Sequence, residues 1–311
     1  MYIIEFGKVT VTFTRGKATL NALNRALAAY PDRRNLPDIE FVLTTEDFSR
    51  GESPVWTYSK RDDEDGVWLM PDFAYWSWPE VNIGPYKEIR QRIVAVDDGG
   101  VTAKGKKASG LKFKDKKKQL FWRGSIATNE ELRGKLIQAS SGKSWSSVRG
   151  IDWGNPDDVR ENLLPMEDHC RYMFLAHLEG RSFSGRGKYL LNCRSVFVSH
   201  RLTWREAHHA VMVSSGPDAN FVEVDRDFAD LDRKMRFLLD NPGTAENIAN
   251  NAVRTLRDRY LTPAAESCYW RHLIRQYASA CDFEPQLFEF SRKSGEKTRG
   301  VPFESWILNA P

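Results

Sequence analysis

Two segments of the sequence combine glycine, arginine and hydroxyl side chains directly after a predicted strand. The first is Trp122-Arg123-Gly124-Ser125, and the second covers residues 179–188. Ligands of open α/β sheets bind outside the carboxyl ends of the strands, so both segments stand where a bound molecule is expected. Arginine side chains there can bind a phosphate or diphosphate through paired hydrogen bonds. Taken alone, the first segment is better explained as an ordinary strand-to-helix turn.

The second segment carries the stronger anion-binding signal. It reads Glu179-Gly180-Arg181-Ser182-Phe183-Ser184-Gly185-Arg186-Gly187-Lys188. Small residues let the backbone approach a phosphate, and a helix predicted at 187–193 would add free N–H groups. The segment is not a P-loop, because Arg186 follows Gly185 and Lys188 is followed by Tyr189 rather than Ser or Thr. We therefore predict an anion site here rather than a purely structural turn.

Two further clusters of polar side chains carry weaker signals. His208 and His209 are adjacent, so they point to different faces of a helix, and the sequence has no HExxH spacing; a metal site is not predicted. Residues 222–227 end a predicted strand in carboxylates that could contact a ribose or an acceptor. Capping of the following helix is the better explanation for Asp227.

The elements that must position these segments alternate between strands and helices from about residue 119 onward. Strands are predicted at 119–123, 173–178, 195–199 and 221–224. Helices are predicted at 129–140, 187–193, 229–240, 244–260 and 263–280. Strands separated by helices indicate a parallel sheet covered on both faces.

The first hundred residues indicate a smaller mixed α/β region. Strands are predicted at 9–13 and 39–43, helices at 20–30 and 85–94, and an aromatic loop at 68–78. The lysine-rich stretch from Lys104 to Lys118 is typical of a solvated linker rather than a functional basic patch. The predicted organisation is a domain at 1–100, a linker at 101–118, a second domain at 119–281 and a tail at 282–311.

The composition is that of a soluble globular protein and argues against several classes. Of 311 residues, 41% are hydrophobic and 28% are charged. Forty-six basic against 42 acidic side chains leave a net charge of only +4, which argues against a nucleic-acid module with steeply salt-dependent binding. No apolar run approaches the roughly 18 residues of a membrane span, and the first residues lack the pattern of a signal peptide. The four cysteines are too few and too widely spaced for a disulfide scaffold or a zinc site.

Taken together, the motifs resemble glycosyltransferase family 90, which includes fungal capsule-associated transferases and Rumi-type protein O-glucosyltransferases. The matching motifs are Phe121-Trp122-Arg123-Gly124-Ser125, Asp168-His169-Cys170-Arg171-Tyr172, Leu178-Glu179-Gly180, Ser184-Gly185-Arg186-Gly187-Lys188-Tyr189-Leu190-Leu191-Asn192, Trp204-Arg205-Glu206, Val222-Glu223-Val224 and Cys268-Tyr269-Trp270. Their order and spacing hold from about residue 120 to residue 281. Residues 1–110 match only loosely.

The resemblance implies a GT-B-like fold, with two Rossmann-like domains and a C-terminal helix packing across them. It implies an inverting transfer that needs no metal or other cofactor, from a UDP-sugar, with glucose or xylose as the sugar, to a protein hydroxyl or a glycan. Arg186 would hold the donor diphosphate and stabilise the leaving group. The other donor-binding residues implied are Arg123, Gly124, Ser125, Glu179, Gly180 and Ser184.

An inverting displacement also needs a base to take the proton of the acceptor hydroxyl. The resemblance implies Asp47 for this role, after the strand predicted at 39–43. The family usually has arginine before this aspartate and an aromatic residue after it; here Glu46 replaces the arginine and Phe48 keeps the aromatic ring. Glu46 is therefore a rival base, and a structural role for both carboxylates stays open. A further departure is Gly187, which stands where the family has an aromatic residue.

The resemblance also implies a disulfide between Cys170 and Cys193 and a location in the lumen of the secretory pathway. Because no signal peptide or membrane span is visible, we expect that the true N-terminus is missing. The alternative function is a catalytically degenerate relative that binds a glycan or nucleotide without transferring sugar. The sequence does not determine the sugar, the acceptor or the oligomeric state.

Overall fold

The computed structural model describes residues 1–6, 10–48, 54–101, 105, 107–291 and 295–309. The strands are β1 Tyr2–Ile3, β2 Val55–Thr57, β3 Val67–Leu69, β4 Gly100–Val101, β5 Lys107–Ala108, β6 Lys117–Gly124, β7 Ser146–Gly150, β8 Tyr172–His177, β9 Val196–His200, β10 Val222–Val224, β11 Phe288–Ser291, β12 Gly295–Thr298 and β13 Val301–Pro302. The helices are α1 Thr10–Ala28, α2 Tyr86–Asp98, α3 Glu130–Ser140, α4 Pro156–Asn162, α5 Met166–His169, α6 Gly187–Leu190, α7 Leu231–Asp240, α8 Pro242–Ala252, α9 Pro263–Ala280 and α10 Phe303–Asn309, with a π-helical stretch at Val253–Tyr260.

A five-stranded parallel sheet forms the centre of the C-terminal half. The alternation of strands and helices predicted a parallel sheet with four of these strands, and the fifth, β7, was not predicted. Its strand order is β10-β9-β8-β6-β7, and every pairing is parallel. Side chains alternate between its two faces, as the pleat of a strand requires. Along β6, Leu120 and Trp122 enter the core with α3, α7 and α8, whereas Phe121 enters the core on the other face. Both faces are therefore buried, which is typical of parallel sheets.

The strand order places a crevice at one edge of this sheet. The chain runs from β6 outward to β7, and then returns past β6 to continue with β8, β9 and β10 on the other side. The connections after β6 and β8 therefore diverge at their carboxyl ends. Such a topological switch point is the usual ligand site of an open α/β sheet. Both segments singled out in the sequence follow these two strands.

Two strand predictions in the N-terminal half were wrong. Thr10 to Phe13 belong to α1, and Val9 lies outside the described residues. Tertiary packing overrides the β-branched side chains there, because the helix buries Leu23 and Ala26 against the rest of the protein. Residues 39–43 form no regular strand; Leu43 makes only an isolated parallel bridge to Trp56.

The described N-terminal residues contain no large parallel sheet to match the C-terminal one. They form α1, α2, short 3₁₀ turns and the two-stranded parallel pair β2–β3. Helix α9 returns from the C-terminal half and packs on α1, where Arg25 pairs with the buried Glu266 at 2.6 Å. Trp270 of α9 also lies 6.2 Å from Trp56, measured between ring centroids. The molecule is thus mixed α/β, with the C-terminal helix packed across the N-terminal part.

The lysine-rich stretch is less solvated than its composition predicts. Lys116 is buried, and its Nζ donates to the carboxylate of Asp97 and to the hydroxyl of Ser195. Phe113 is also buried, in the core with α3 and α7. Lys104 and Lys106 lie outside the described residues. This stretch therefore connects α2 to the central sheet, because Lys116 binds both Asp97 of α2 and Ser195 just before β9.

A disulfide joins the ends of the segment that carries Arg186. Cys170 follows α5, Cys193 follows α6, and both are buried and bonded to each other. Cys268 and Cys281 are free. The bond closes a loop with a sequence separation of 23 residues, which includes β8 and the whole glycine-rich segment.

We expect the double substitution Cys170→Ser/Cys193→Ser to lower the free energy of unfolding by about 3 kcal/mol, because the loop is no longer closed in the unfolded chain. Urea denaturation of the oxidised protein measures the change. Cys268→Ser is the matched control, since it removes an exposed free thiol. Equal stability of the double variant and the wild type would contradict the expectation.

Among the described residues, no helix is long and apolar enough to cross a membrane.

Candidate functional site

A cleft of about 680 Å³ opens between the carboxyl edge of the central sheet and the N-terminal half. One wall consists of residues after β6 and β8, extended by an apolar strip at residues 163–166. The opposite wall comes from α1 and from residues 78–83. The cleft therefore lies at the topological switch point and faces the N-terminal half.

Most of the site residues predicted from the sequence meet in this cleft. The residues that line it are Asp47, Arg123, Gly124, Ser125, Gly180, Ser184 and Arg186. Glu46 and Glu179 are not among the lining residues. Asp47 stands on the N-terminal wall and Arg186 on the sheet wall, so a molecule in the cleft would lie between them.

Glu179 was assigned to donor binding, and the structure gives its carboxylate other partners. One oxygen accepts the backbone N–H groups of Thr203 and Trp204 at 2.6 and 2.8 Å. The other accepts from Arg226 at 2.8 Å. Because Glu179 is buried and these bonds occupy both oxygens, it anchors the loop after β9 instead of lining the cleft.

Three arginines of the cleft bond to oxygen atoms that carry no full negative charge. Arg186 donates to the carbonyl oxygen of Arg123. Arg133 donates to the carbonyl oxygen of Ser125 at 2.6 Å. Arg123 donates to the carbonyl oxygen of Trp122 at 2.9 Å. Within the part of the chain that the structure describes, none of the three forms an ion pair with a carboxylate.

The electrostatics of these arginines favour a bound anion. Burial lowers the pKa of Arg133 to about 10. Burial, and secondly the charge of Arg133, lower the pKa of Arg186 to about 10. Burial also lowers the pKa of Arg123. Arg133 and Arg186 stay protonated at neutral pH, and keeping these charges out of water costs free energy that a bound anion would offset.

An anion in this cleft would be bound by arginine side chains more than by a helix end. The helix predicted at 187–193 is only the four-residue α6, too short to contribute much dipole. Its first residue, Gly187, has a packing role: a Cβ there would lie 2.8 Å from the buried His177 ring. Glycine at the position where the family has an aromatic residue therefore allows the chain to approach His177.

The N-terminal wall presents two carboxylates held by one arginine. Arg15 of α1 lies 2.8 Å from Asp47 Oδ1 through its Nη1 atom and 2.8 Å from Glu80 Oε1 through its Nε atom. All three residues line the cleft. The main chain of Asp47 is also tied to the sheet wall, because the buried Ser182 hydroxyl donates to its carbonyl oxygen. The cleft thus has a cationic wall and a wall that carries carboxylates.

Sequence reasoning missed Arg15, Glu80 and Arg133. Arg15 lies on a helix whose beginning was predicted as a strand, and Glu80 lies just after the aromatic loop at 68–78, in a stretch with no motif. Arg133 carries a usable signal: it follows Leu132 on the side of α3 that is buried, where an unpaired arginine is unusual. An arginine on the predicted core face, in the first turn of the helix that follows a strand, indicates a buried cation near the carboxyl end of that strand.

Glu206, His208 and His209 are the described residues that come close enough to hold a metal ion. The hydrogen bonds argue against that role. The backbone N–H of Glu206 donates to Nδ1 of His209 at 3.1 Å, so a neutral ring carries its proton on Nε2 and has no lone pair left there. Two candidate ligands remain, fewer than the three protein ligands of a catalytic zinc site. The cluster is better explained as a buried polar contact around the turn at Ala207–Val211.

Comparison with protein-family models matches residues 2–296 to Glycosyl transferase family 90. The chain belongs to glycosyl transferase family 90. The family resemblance predicted from the motifs is therefore confirmed, and the match extends through the N-terminal half, which the motifs covered only loosely. The cleft is accordingly the candidate active site of a family 90 protein.

Two curated relatives illustrate the similarity within the family. The O-glucosyltransferase rumi homolog of Aedes aegypti is 27% identical over 273 residues, which cover 82% of this chain and 64% of the relative. Human Protein O-glucosyltransferase 1 is 23% identical over 266 residues, which cover 78% of this chain and 63% of the relative. The matches therefore span somewhat less than two thirds of the length of these relatives.

Among solved structures, the chain is similar to Anabaena HepE, crystallised in complex with UDP-glucose. The identity is 10%, and the similarity covers 52% of this chain and 49% of HepE with a TM-score of 0.33. A TM-score this low does not establish a common fold. The site of this family 90 chain is therefore best understood from its own residues.

Proposed function

We propose that this family 90 protein is an inverting glycosyltransferase that moves glucose or xylose from a UDP-sugar to a protein hydroxyl or a glycan. The observation that carries the proposal is the group Arg123, Arg133 and Arg186, which form no ion pair with a carboxylate among the described residues and line one cleft together with Asp47. The arginines suit a diphosphate, and Asp47 suits a base. The O-glucosyltransferases among the relatives support glucose as the transferred sugar.

The proposed reaction is a single displacement. The acceptor hydroxyl oxygen forms a bond to the anomeric carbon, and its proton passes to the Asp47 carboxylate. The bond between the anomeric carbon and the diphosphate oxygen breaks, and UDP leaves with the electron pair. Arg186, with Arg123 and Arg133 beside it, stabilises the negative charge on UDP in the role that a metal ion takes elsewhere. The proposal requires Asp47 and the UDP leaving group to lie on opposite faces of the anomeric carbon; that Asp47 and Arg186 line the same cleft supports it.

The wider arrangement is proposed on the same basis. Residues 1–100 form the acceptor side and residues 119–281 the donor-binding domain of a GT-B-like enzyme, joined by 101–118 and followed by the tail 282–311. The lumen of the secretory pathway is the proposed location, and the buried disulfide between Cys170 and Cys193 supports it, since such bonds persist in oxidising compartments. No metal or other cofactor is required in this proposal.

The alternative is a degenerate relative that binds the nucleotide without transferring sugar. The ion pair between Asp47 and Arg15 is the observation in its favour, because that contact occupies one carboxylate oxygen of the proposed base. This alternative and the transferase share the donor site and differ only in turnover.

Isothermal titration with UDP and UDP-glucose, each repeated with EDTA, tests the donor site. We expect micromolar binding that EDTA does not change, because arginines supply the positive charge. Failure to bind any uridine nucleotide would overturn the proposed function. Binding without release of UDP from UDP-glucose or UDP-xylose would favour the degenerate relative.

A further inference from the structure

Arg15 is a largely buried arginine in the wall of the cleft. It lies on α1, its side chain is 18% exposed, and its guanidinium lies 4.8 Å from the centroid of the Phe73 ring. Burial opposes its charge, but bonds to Asp47 and Glu80 outweigh burial and raise the pKa of Arg15 overall. The guanidinium is therefore a fixed positive charge within the wall of the cleft.

The two carboxylates bind different parts of this guanidinium. Nη1 donates to Asp47 Oδ1 and Nε donates to Glu80 Oε1, each at 2.8 Å. The hydroxyl of Thr14 adds a bond to the same Glu80 oxygen at 3.3 Å. Glu80 and the Phe73 ring thus limit rotation of the arginine, while Nη1 remains directed at Asp47.

The side chain of Asp47 depends on this contact for its orientation. Its carbonyl oxygen is held by Ser182 and, at 3.4 Å, by Ser59. Those bonds fix the main chain and leave the carboxylate free to rotate. Among the described residues, Arg15 is the one that donates a hydrogen bond to the carboxylate.

We propose that Arg15 is a positioning residue for the base, and that Glu80 is the anchor that keeps Arg15 in place. This inference rests on the proposed function, since it assigns a role relative to Asp47 as the base. Arg15 holds one oxygen of Asp47 and leaves the second oxygen to accept the proton of the acceptor hydroxyl. A correctly directed oxygen matters because a misplacement of about 1 Å can cost about 100-fold in rate.

The test compares Arg15→Gln, Arg15→Lys and Glu80→Gln with the wild type, in release of UDP from UDP-glucose with water as acceptor. We expect Arg15→Gln to lower kcat by about 10- to 100-fold while the Kd of UDP changes by less than about twofold. Arg15→Lys should recover part of the lost kcat, because an ammonium group keeps the positive charge but cannot bind Asp47 and Glu80 through two separate nitrogen atoms. Glu80→Gln should lower kcat by about 3- to 10-fold with UDP affinity unchanged, because the anchor is weakened but Asp47 keeps its partner.

The matched control is Arg299→Gln. Arg299 also binds a carboxylate, Glu40, through two bonds of 2.8 Å at similar exposure, and it does not line the cleft. Its loss should leave kcat unchanged. In an Asp47→Asn background, Arg15→Gln should cost nothing further, whereas a purely structural arginine would lower the rate again.

The outcomes separate this inference from the proposed function. The proposed function itself would be overturned if the wild-type protein neither binds UDP nor releases it from UDP-glucose or UDP-xylose. An active wild type with unchanged kcat in Arg15→Gln would overturn the positioning role alone. If Arg15→Gln does not fold, the positioning role is tested with Glu80→Gln instead. An unchanged kcat in Glu80→Gln would then overturn that role.

Discussion

Replacing Arg186 by alanine should lower kcat for release of UDP from UDP-glucose by about 100- to 1,000-fold. This is the effect, about 3–4 kcal/mol, of removing one donor that stabilises charge developing in a transition state. Arg186 stands at the switch point and pairs with no carboxylate among the described residues, so the UDP diphosphate should be its main ionic partner. Steady-state kinetics with UDP-glucose, together with titration by UDP, measure both the chemical step and nucleotide affinity.

The same substitution has an unusual expected effect on stability. Burial and Arg133 lower the pKa of Arg186 to about 10, so the charged side chain destabilises the fold at neutral pH when no anion is present. Without ligand, Arg186→Ala removes this cost but also the bond to the Arg123 carbonyl oxygen and the contact with the Trp122 ring, so its melting temperature should stay close to that of the wild type. UDP should raise the melting temperature of the wild type and have little effect on the variant.

Arg236→Ala is the control for this experiment. Arg236 is an exposed arginine of α7 that pairs with Asp232 one turn away, and its loss should change neither kinetics nor UDP binding. Full activity of Arg186→Ala would show that the diphosphate lies elsewhere. A large fall in its melting temperature without ligand would show that Arg186 supports the fold.

Replacing Asp47 by asparagine should lower kcat by about 100- to 10,000-fold, the usual contribution of a general base. The amide keeps the size of the side chain and can still accept a hydrogen bond from Arg15, but it cannot take the acceptor proton. The Kd of UDP should stay within about twofold, because Asp47 lies on the N-terminal wall and, among the described residues, its side chain bonds to Arg15 rather than to Arg123, Arg133 or Arg186. Kinetics and titration on the same preparation separate the two quantities.

Glu46→Gln is the matched control, because Glu46 is the neighbouring carboxylate and does not line the cleft. Its kcat should equal that of the wild type. A loss in Glu46→Gln with full activity in Asp47→Asn would transfer the role of base to Glu46. Full activity in both variants would show that neither Asp47 nor Glu46 is the general base.

The sequence by itself determined the parts of this protein that depend on local order. The alternation of strands and helices after residue 119 predicted the parallel sheet, because buried strands and amphipathic helices have different hydrophobic periods. The motifs around Arg123 and Arg186 predicted which connections line the cleft, since each follows a strand whose carboxyl end faces the ligand side. The ordered motifs were also sufficient to indicate family 90.

Only the tertiary structure decided what depends on residues far apart in the chain. Glu179 stands within a correctly identified segment, yet its carboxylate binds the loop at Thr203 and Trp204, 24 and 25 positions further on. Arg15 and Glu80 face Asp47 because α1 folds over the cleft, and no spacing in the sequence indicates that contact. The direction of a side chain and its pairing with distant residues follow from packing between elements. The local propensity of a segment carries no information about that packing. The sequence thus predicted the segments that build the site, and packing determined which side chains of those segments face it.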